Sequence, residues 1–500
     1  MNNPSPETKP DLLKRLRQAF SGLSRCRLLK LRDAYQLAGE SVRVPYEGFP
    51  MELILGTNKG KRLRLYPEYP LQGDGKASAS ASETASPPCF LLDDPDHIGT
   101  TIGGFLRLEP GKQITLGRRD SEQQALFNYP EDVAQKHLRL THDDDAVIFE
   151  DKSSSGTCIS PALNDDKTER ITCLQHILEI YGGPLEALPP DEALALIREV
   201  NQIMEQEALR PRDSRDLPGG LLQLPPDLTP IVVGDLHAQI DNLLVILSHN
   251  GFLHALEQGE ACMILIGDAV HSEHDGELDQ MDDSILMMDL IFRLKVRFPE
   301  HFFFVRGNHD SFLEEISKGG IPQGLFWKRA LKKTRGKDYR KEMQRYYDLL
   351  PYVVTSPDFC AAHAAPPRSK VSKDMLIELG RYPGLIPELI TNRMARPNRP
   401  GGYTKGDVKR FRKTLGLDPE TPFLVGHTPM DQIDTYWLNV GAAENHHILY
   451  SAHDAWVGVF TRIGGKMWPL KYPAEPLRDL IKKLATDDKA VEEQQQSNVS

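Results

Sequence analysis

Long apolar runs are missing from this 500-residue chain. No stretch approaches the ~18 uninterrupted apolar residues of a membrane span, and the polar, Pro-containing start lacks the apolar core of a secretion signal. Cysteine is scarce. Cys26, Cys89, Cys158, Cys173, Cys262 and Cys360 stand apart with no CxxC pair, which argues against a zinc knuckle or a disulfide framework and for a reducing, cytoplasmic setting. An excess of positive charge is absent too. Lys and Arg total 60 against 71 Asp and Glu, a formal net charge of −11, so a nonspecific nucleic-acid surface is not expected. No internal repeat is found. The basic, amphipathic stretch Leu12–Lys30 reads as a helix packed on its own protein rather than on a membrane surface.

The chain divides into blocks. Residues 1–97 read as an N-terminal extension with a disordered Ala/Ser-rich stretch at 76–88. Residues 98–180 hold short β-rich segments broken by turns (FLRL, ITLGRR, HLRL, AVIFED, GTCI), the pattern of a small all-β sandwich. Residues 181–228 read as a helix from Pro190, with Asp191 and Glu192 in its first turn, and then a Pro-rich linker. In 229–475 the apolar strands IVVGD, CMILIGD, HFFFVRG, FCAAH and PFLVGH alternate with helical stretches. Runs of that kind are buried on both faces, as in α/β layers. Residues 476–500 read as a polar tail.

Five of those strands end in metal-competent side chains: GDLH at Gly234–His237, GDAV at Gly267–Val270, GNHD at Gly307–Asp310, AAHAA around His363 and VGHTP around His427. A strand stopping at such a residue presents it at the sheet's edge, where α/β folds place their sites. Asp235 and His237, two apart, can turn toward one ion. Asp268 can offer one oxygen to each of two ions, while Asn308, His363 and His427 supply an amide oxygen and two imidazoles to the second. Mixed N/O donors suit two divalent ions of manganese, with iron or zinc as alternatives, better than calcium.

These clusters resemble those of the calcineurin-like metallophosphoesterases, and more narrowly the phosphoprotein phosphatases, whose pattern runs GDxHG, GDxVDRG, GNHE, HGG and a late His. NRPGGYTKGDVKRF before His427 and ILYSAHDAWVGVF after it extend the likeness over roughly Leu228–Leu470. The resemblance implies a sandwich of two mixed β-sheets flanked by helices. It implies Asp235, His237 and Asp268 on one metal, and Asp268, Asn308, His363 and His427 on the other. It further implies in-line attack on phosphorus by a metal-bridging water, with Asp268 and His309 as catalytic residues, His309 as general acid, and Arg306 and Arg399 gripping phosphate. Two departures stand out. The family's VDRG is VHSE here, so His271 replaces the Asp that orients the general acid and Ser272 replaces a phosphate-contacting Arg; Glu273 or Asp275 is then the candidate orienter. Ala455 stands where the family has a tyrosine.

The β-rich segment resembles a forkhead-associated domain through LGRR at Leu116–Arg119, AQKH at Ala134–His137 and EDKSSSGT at Glu150–Thr157. That likeness implies a phosphothreonine-binding surface at Arg118, Lys136, Ser154 and Ser155, with Gly117, His137 and Gly156 structural, although Ala134 and Ser155 replace the family's Ser and Asn. The whole then reads as a metal-dependent phosphomonoester hydrolase acting on phosphoproteins and directed by its N-terminal domain. The alternatives are a hydrolase of small phosphoesters or dinucleotide polyphosphates, and a catalytically silent phosphoprotein-binding protein.

Overall fold

The computed structural model describes residues 27–28, 34–56, 60–68, 71, 87–96, 102–162, 166–396 and 400–486. The readings of the Ala/Ser-rich stretch over 76–86 and of most of Leu12–Lys30 lie outside them. The chain forms two compact units, one built on residues up to 165 and the other on residues from 166 onward, with 70–76 and 100–102 assigned to the second.

The first unit consists of two sheets. One has the strand order Arg27–Leu28, Ser41–Pro45, Ala146–Asp151, Leu138–His142, Gln113–Leu116; the other runs Tyr35–Leu37, Thr157–Pro161, Met51–Leu55, Lys61–Glu68, Cys89–Asp93, Phe105–Leu108. Alternate residues are buried along these strands (Val42 and Val44, Leu53 and Leu55, Leu63 and Leu65, Leu138 and Leu140), the period-two signature of one inward face. Two expectations are corrected here. Residues 34–96 supply strands of both sheets instead of a separate extension, and Asp166–Tyr181, placed with the sandwich, is a helix of the second unit. The early strands are punctuated by Gly and Pro, so they read locally as turns, and pairing with residues a hundred positions away sets Ser41–Pro45 and Met51–Leu55 into the two sheets.

The second unit has two mixed sheets. The first runs Phe302–Phe304, Ala261–Leu265, Thr229–Val233, Trp456–Ile463, Lys466–Pro473; the second runs Leu221–Gln223, Val353–Ser356, Phe359–Ala362, Phe423–Val425, His446–Leu449, Tyr436–Trp437. Residue parity builds the layers. Leu222, Val354, Ala361, Leu424 and Leu449 of the second sheet pack with Val232, Ile264, Phe303 and Phe460 of the first. Their neighbours Leu221, Val353, Cys360, Phe423 and Ile448 pack on the opposite face, against Leu389, Val408 and Phe411. Helices Ile240–Ser248 and Asp282–Arg297, with buried apolar residues, connect the parallel strands of the first sheet.

The helix Pro190–Glu205 begins on Pro, with Asp191 and Glu192 in its first turn, as read. The expected linker does not hold: the Pro-rich segment after it carries Leu221–Gln223, which pairs in parallel with Val353–Thr355. Its extended backbone is that of an edge strand. The polar tail is also shorter than expected, since 477–486 is helical and buries Leu477, Leu480 and Ile481. Among the described residues no helix is long and apolar enough to cross a membrane.

Candidate metal centre

Each ligand cluster sits at the C-terminal end of a strand. Thr229–Val233, Ala261–Leu265 and Phe302–Phe304 are parallel neighbours and lead into Asp235, Asp268 and Asn308. Phe359–Ala362 and Phe423–Val425, also parallel, lead into His363 and His427. The turns are tight enough to force non-glycine residues into the left-handed region: His237 at φ 42°, Ala238 at 62°, Asp268 at 53°, His271 at 71° and His427 at 64°. Each such residue costs on the order of 1–2 kcal/mol. Glycine is required where the turns meet. A Cβ at Gly307 would collide with Asp268 Oδ1, and one at Gly426 with Asp235 Oδ1.

The turns bring all six predicted ligands together. Asp235, His237 and Asp268 form one buried group whose ligand atoms lie within 4.8 Å of one another; Asp268, His363 and His427 form a second. Asp268 belongs to both. Its Oδ1 accepts the His309 N–H at 2.7 Å, and its Oδ2 lies 3.2 Å from His363 Nε2. One atom of the Asn308 amide lies 2.9 Å from His363 Nε2, 2.8 Å from His427 Nδ1 and 3.1 Å from Asp268 Oδ2. The histidines are turned by backbone carbonyls. His363 Nδ1 bonds Ile266 O at 2.9 Å and His237 Nδ1 bonds His271 O at 3.1 Å. Each Nδ1–H is thereby used, and Nε2 presents its lone pair to the site.

The electrostatics follow from crowding charges in a dry site. Burial pulls His363 down, but Asp268 and Asp235 outweigh it and lift the imidazole to about 9. Burial, with Asp268 beside it, pushes Asp235 up to about 7. Burial also raises Asp268, yet His363 and His309 hold it well below the usual carboxylate range. Burial, then His363 and the Arg393 guanidinium, keep His427 neutral. Donors of this kind, buried with their acceptor atoms facing each other around a shared carboxylate, fit two divalent ions.

Residues 228–453 match the family model described as calcineurin-like phosphoesterase. The chain carries a calcineurin-like phosphoesterase domain. Among curated relatives, 90 residues are 34% identical to a segment of serine/threonine-protein phosphatase PP1-delta of Caenorhabditis elegans, covering 18% of this chain and 25% of that one. Over 153 residues the chain is 26% identical to serine/threonine-protein phosphatase with EF-hands 2 of Mus musculus, covering 30% and 18%. The chain thus spans a quarter or less of the length of these relatives. A solved serine/threonine phosphatase from Saccharomyces cerevisiae covers 57% of the chain and 90% of its own, at 17% identity and a TM-score of 0.43. A cold-active protein-tyrosine phosphatase of a Shewanella species covers 51% and 82%, at 11% and 0.32.

Within the phosphoesterase domain the departures acquire positions. His309 Nδ1 lies 3.0 Å from His271 Nδ1, so His271 itself orients His309. Glu273 instead lies beside His237, and Asp275 is exposed. Burial, then His237, lowers His309 to about 4 despite Asp268. Ser272 donates to Glu277 Oε2 at 3.0 Å.

Arg306 has partners of its own: its Nη1 donates to the Tyr347 carbonyl and its guanidinium lies over the Tyr347 ring at 5.4 Å, on the helix Gly336–Leu349. Arg399 lies outside the described residues. Arg393, which the sequence reading did not single out, belongs to the segment whose Ile390 carbonyl is 3.3 Å from the Asn308 amide, and its charge acts on His427.

Asp310 was also missed, although GNHD contains it. Its Oδ2 accepts the N–H groups of Asp268 at 3.0 Å and Gly307 at 2.8 Å, locking two ligand turns together. In the first unit, Arg118 Nε donates to Val133 O at 2.6 Å and Ser155 Oγ to Asp132 O at 3.2 Å, while Lys136 and Ser154 are exposed. His137 joins the same loops, its Nδ1 accepting from the Ala134 N–H at 3.0 Å and its Nε2 2.9 Å from Gly156 O.

Proposed function

We propose that the chain is a dimetal-dependent phosphomonoester hydrolase acting on phosphoproteins. The carrying observation is Asp268, shared between two buried ligand groups. Asp235, His237 and Asp268 would hold one divalent ion and Asp268, Asn308, His363 and His427 the other; when bound, such ions supply Lewis-acid charge and an activated water. The chain's own residues do the rest. His309 turns its Nδ1 to His271, which leaves Nε2 to carry a proton to a departing oxygen. For His309 to hold both protons, its Nδ1–H must donate to the His271 Nδ1 lone pair, so His271 keeps its own proton at Nε2. Arg393 brings a guanidinium to the His427 side, where a fork of N–H donors matches phosphate oxygens; Arg399 is the second candidate for that grip. Manganese is the ion the donor set suits best, with iron or zinc next, and the cytoplasm is the setting the scattered thiols suit.

The first unit is read as forkhead-associated-like. Arg118 and Ser155 reach successive carbonyls, and exposed Lys136 and Ser154 lie on the loops that His137 ties together. A phosphothreonine protein bound there would raise the local concentration of substrate.

The test is turnover of pSer, pThr and pTyr peptides beside diadenosine tetraphosphate, for the full chain and Asp268→Asn, with Mn²⁺ and with chelator. Metal-dependent peptide turnover that the substitution removes is expected. Turnover of the dinucleotide alone would move the reading to small phosphoesters, and no turnover to a binding protein. Fluorescence anisotropy of a phosphothreonine peptide library, lost on Arg118→Ala, checks the first unit.

A further inference from the structure

Glu273 stands in the loop after the Asp268 turn, and its two oxygens have different surroundings. Oε2 accepts from the Tyr450 hydroxyl at 2.7 Å and pairs with Lys318 Nζ at 3.0 Å. Oε1 lies 3.7 Å from His237 Nε2. That is too long for a hydrogen bond. It matches the 3.8 Å between the same nitrogen and Asp235 Oδ2, so His237 Nε2 is flanked almost symmetrically by two carboxylate oxygens. His237 Nδ1 is occupied by the His271 carbonyl, which leaves the Nε2 lone pair facing both. Two donor atoms each about 2.1 Å from one ion stand about 3–4 Å apart at ordinary coordination angles. The spacing is that of ligands around a common cation. His237, Glu273 and His309 also bring ligand atoms within 4.8 Å of one another.

We infer that Glu273 is a further carboxylate ligand of the ion held by Asp235, His237 and Asp268, with Tyr450 and Lys318 positioning it through its other oxygen. The inference rests on the two-ion reading above. Its chemical consequence is twofold. Three carboxylates against two divalent ions leave one net positive charge at the centre rather than two. The ion on the His237 side also has one position fewer for water or a phosphate oxygen. The competing explanation is that Glu273 serves only as the partner of Lys318 between two surface loops.

Metal binding separates the two. The metal-free full chain is titrated with Mn²⁺ by calorimetry, and bound ions are counted by the loss of the free Mn²⁺ electron-paramagnetic signal, for wild type, Glu273→Gln and Lys318→Ala. Glutamine keeps the shape and still accepts from Tyr450, and the Glu273 side chain is 31% exposed, so the fold tolerates the change. Two ions are expected in all three proteins. In Glu273→Gln one of them is weakened by about tenfold or more, the scale of effect metal-site partners show, with the other within about twofold; in Lys318→Ala, where the Tyr450 hydroxyl still holds Oε2, the weakening is within about twofold for both. Unchanged affinities in Glu273→Gln, or equal weakening in Lys318→Ala, would overturn the assignment. Absence of any bound ion in wild type would instead remove the two-ion reading itself.

Discussion

At the scale of single residues, the centre is defined by which atom each side chain has left to offer. His363 and His237 spend Nδ1 on carbonyls and offer Nε2. His363 is lifted to about 9 by carboxylates that outweigh its burial, and an imidazole must be neutral to bind a metal. Below pH 9 ion binding therefore displaces a proton, and apparent affinity falls by up to about tenfold per pH unit as pH drops. Near and below pH 7 the protonation of Asp235 adds to the fall. Calorimetric titration in two buffers of different ionisation enthalpy counts the released protons; a count of zero at pH 7.5 would contradict the arrangement.

Arg393 gives a second prediction at this scale. Arg393→Ala is expected to cost about 1.5–3 kcal/mol of phosphate binding, roughly ten- to a hundredfold in KM, with ion affinity unchanged. The six candidate ligands stand out in the sequence because five strand-ending motifs carry them, Asp235 and His237 sharing the first. Arg393 does not, because several arginines crowd that stretch of sequence, and it is set apart by the effect of its charge on His427. Glu273 was noticed but paired with the wrong histidine, since Lys318 and Tyr450, which aim it, are 45 and 177 positions away.

At the scale of elements, parity does the work. A strand in the middle of a sandwich alternates between two cores, so neighbouring side chains answer to different layers. Leu424 faces the other sheet while Phe423 and Val425 face the helices, and the same strand ends two residues before His427. Leu424→Ala should destabilise by about 2–5 kcal/mol, read by denaturant unfolding. The strands after Thr229 were readable because burial on both faces leaves an uninterrupted apolar run. Leu221–Gln223 was not, because prolines on either side of an edge strand look like a linker; nor were the strands between 34 and 96, where Ser41–Pro45 and one edge of Met51–Leu55 find their partners a hundred positions away.

At the scale of the whole molecule, the two units divide the chain near residue 165, and the ligands all belong to the second. Ions that bind only the native state stabilise it by about 2.7 kcal/mol at a hundredfold excess over Kd. Chelation is therefore expected to lower the calorimetric transition of the phosphoesterase unit by several degrees. No shift on chelation would mean that the ions are not bound there.

The left-handed turns have a bearing on how the protein can change over time. Ala238, at φ 62° beside His237, has no ligand atom, and glycine adopts that conformation freely; Ala238→Gly should raise the melting temperature of the metal-free protein or leave it level, where an alanine-to-glycine change in relaxed backbone lowers it. The same relief is open at His237, Asp268 and His427, but there it removes a donor. Selection for heat resistance in the absence of metal would consequently favour losses inside the centre, and a lineage or library screened under chelation would shed its ion-binding turns before its framework.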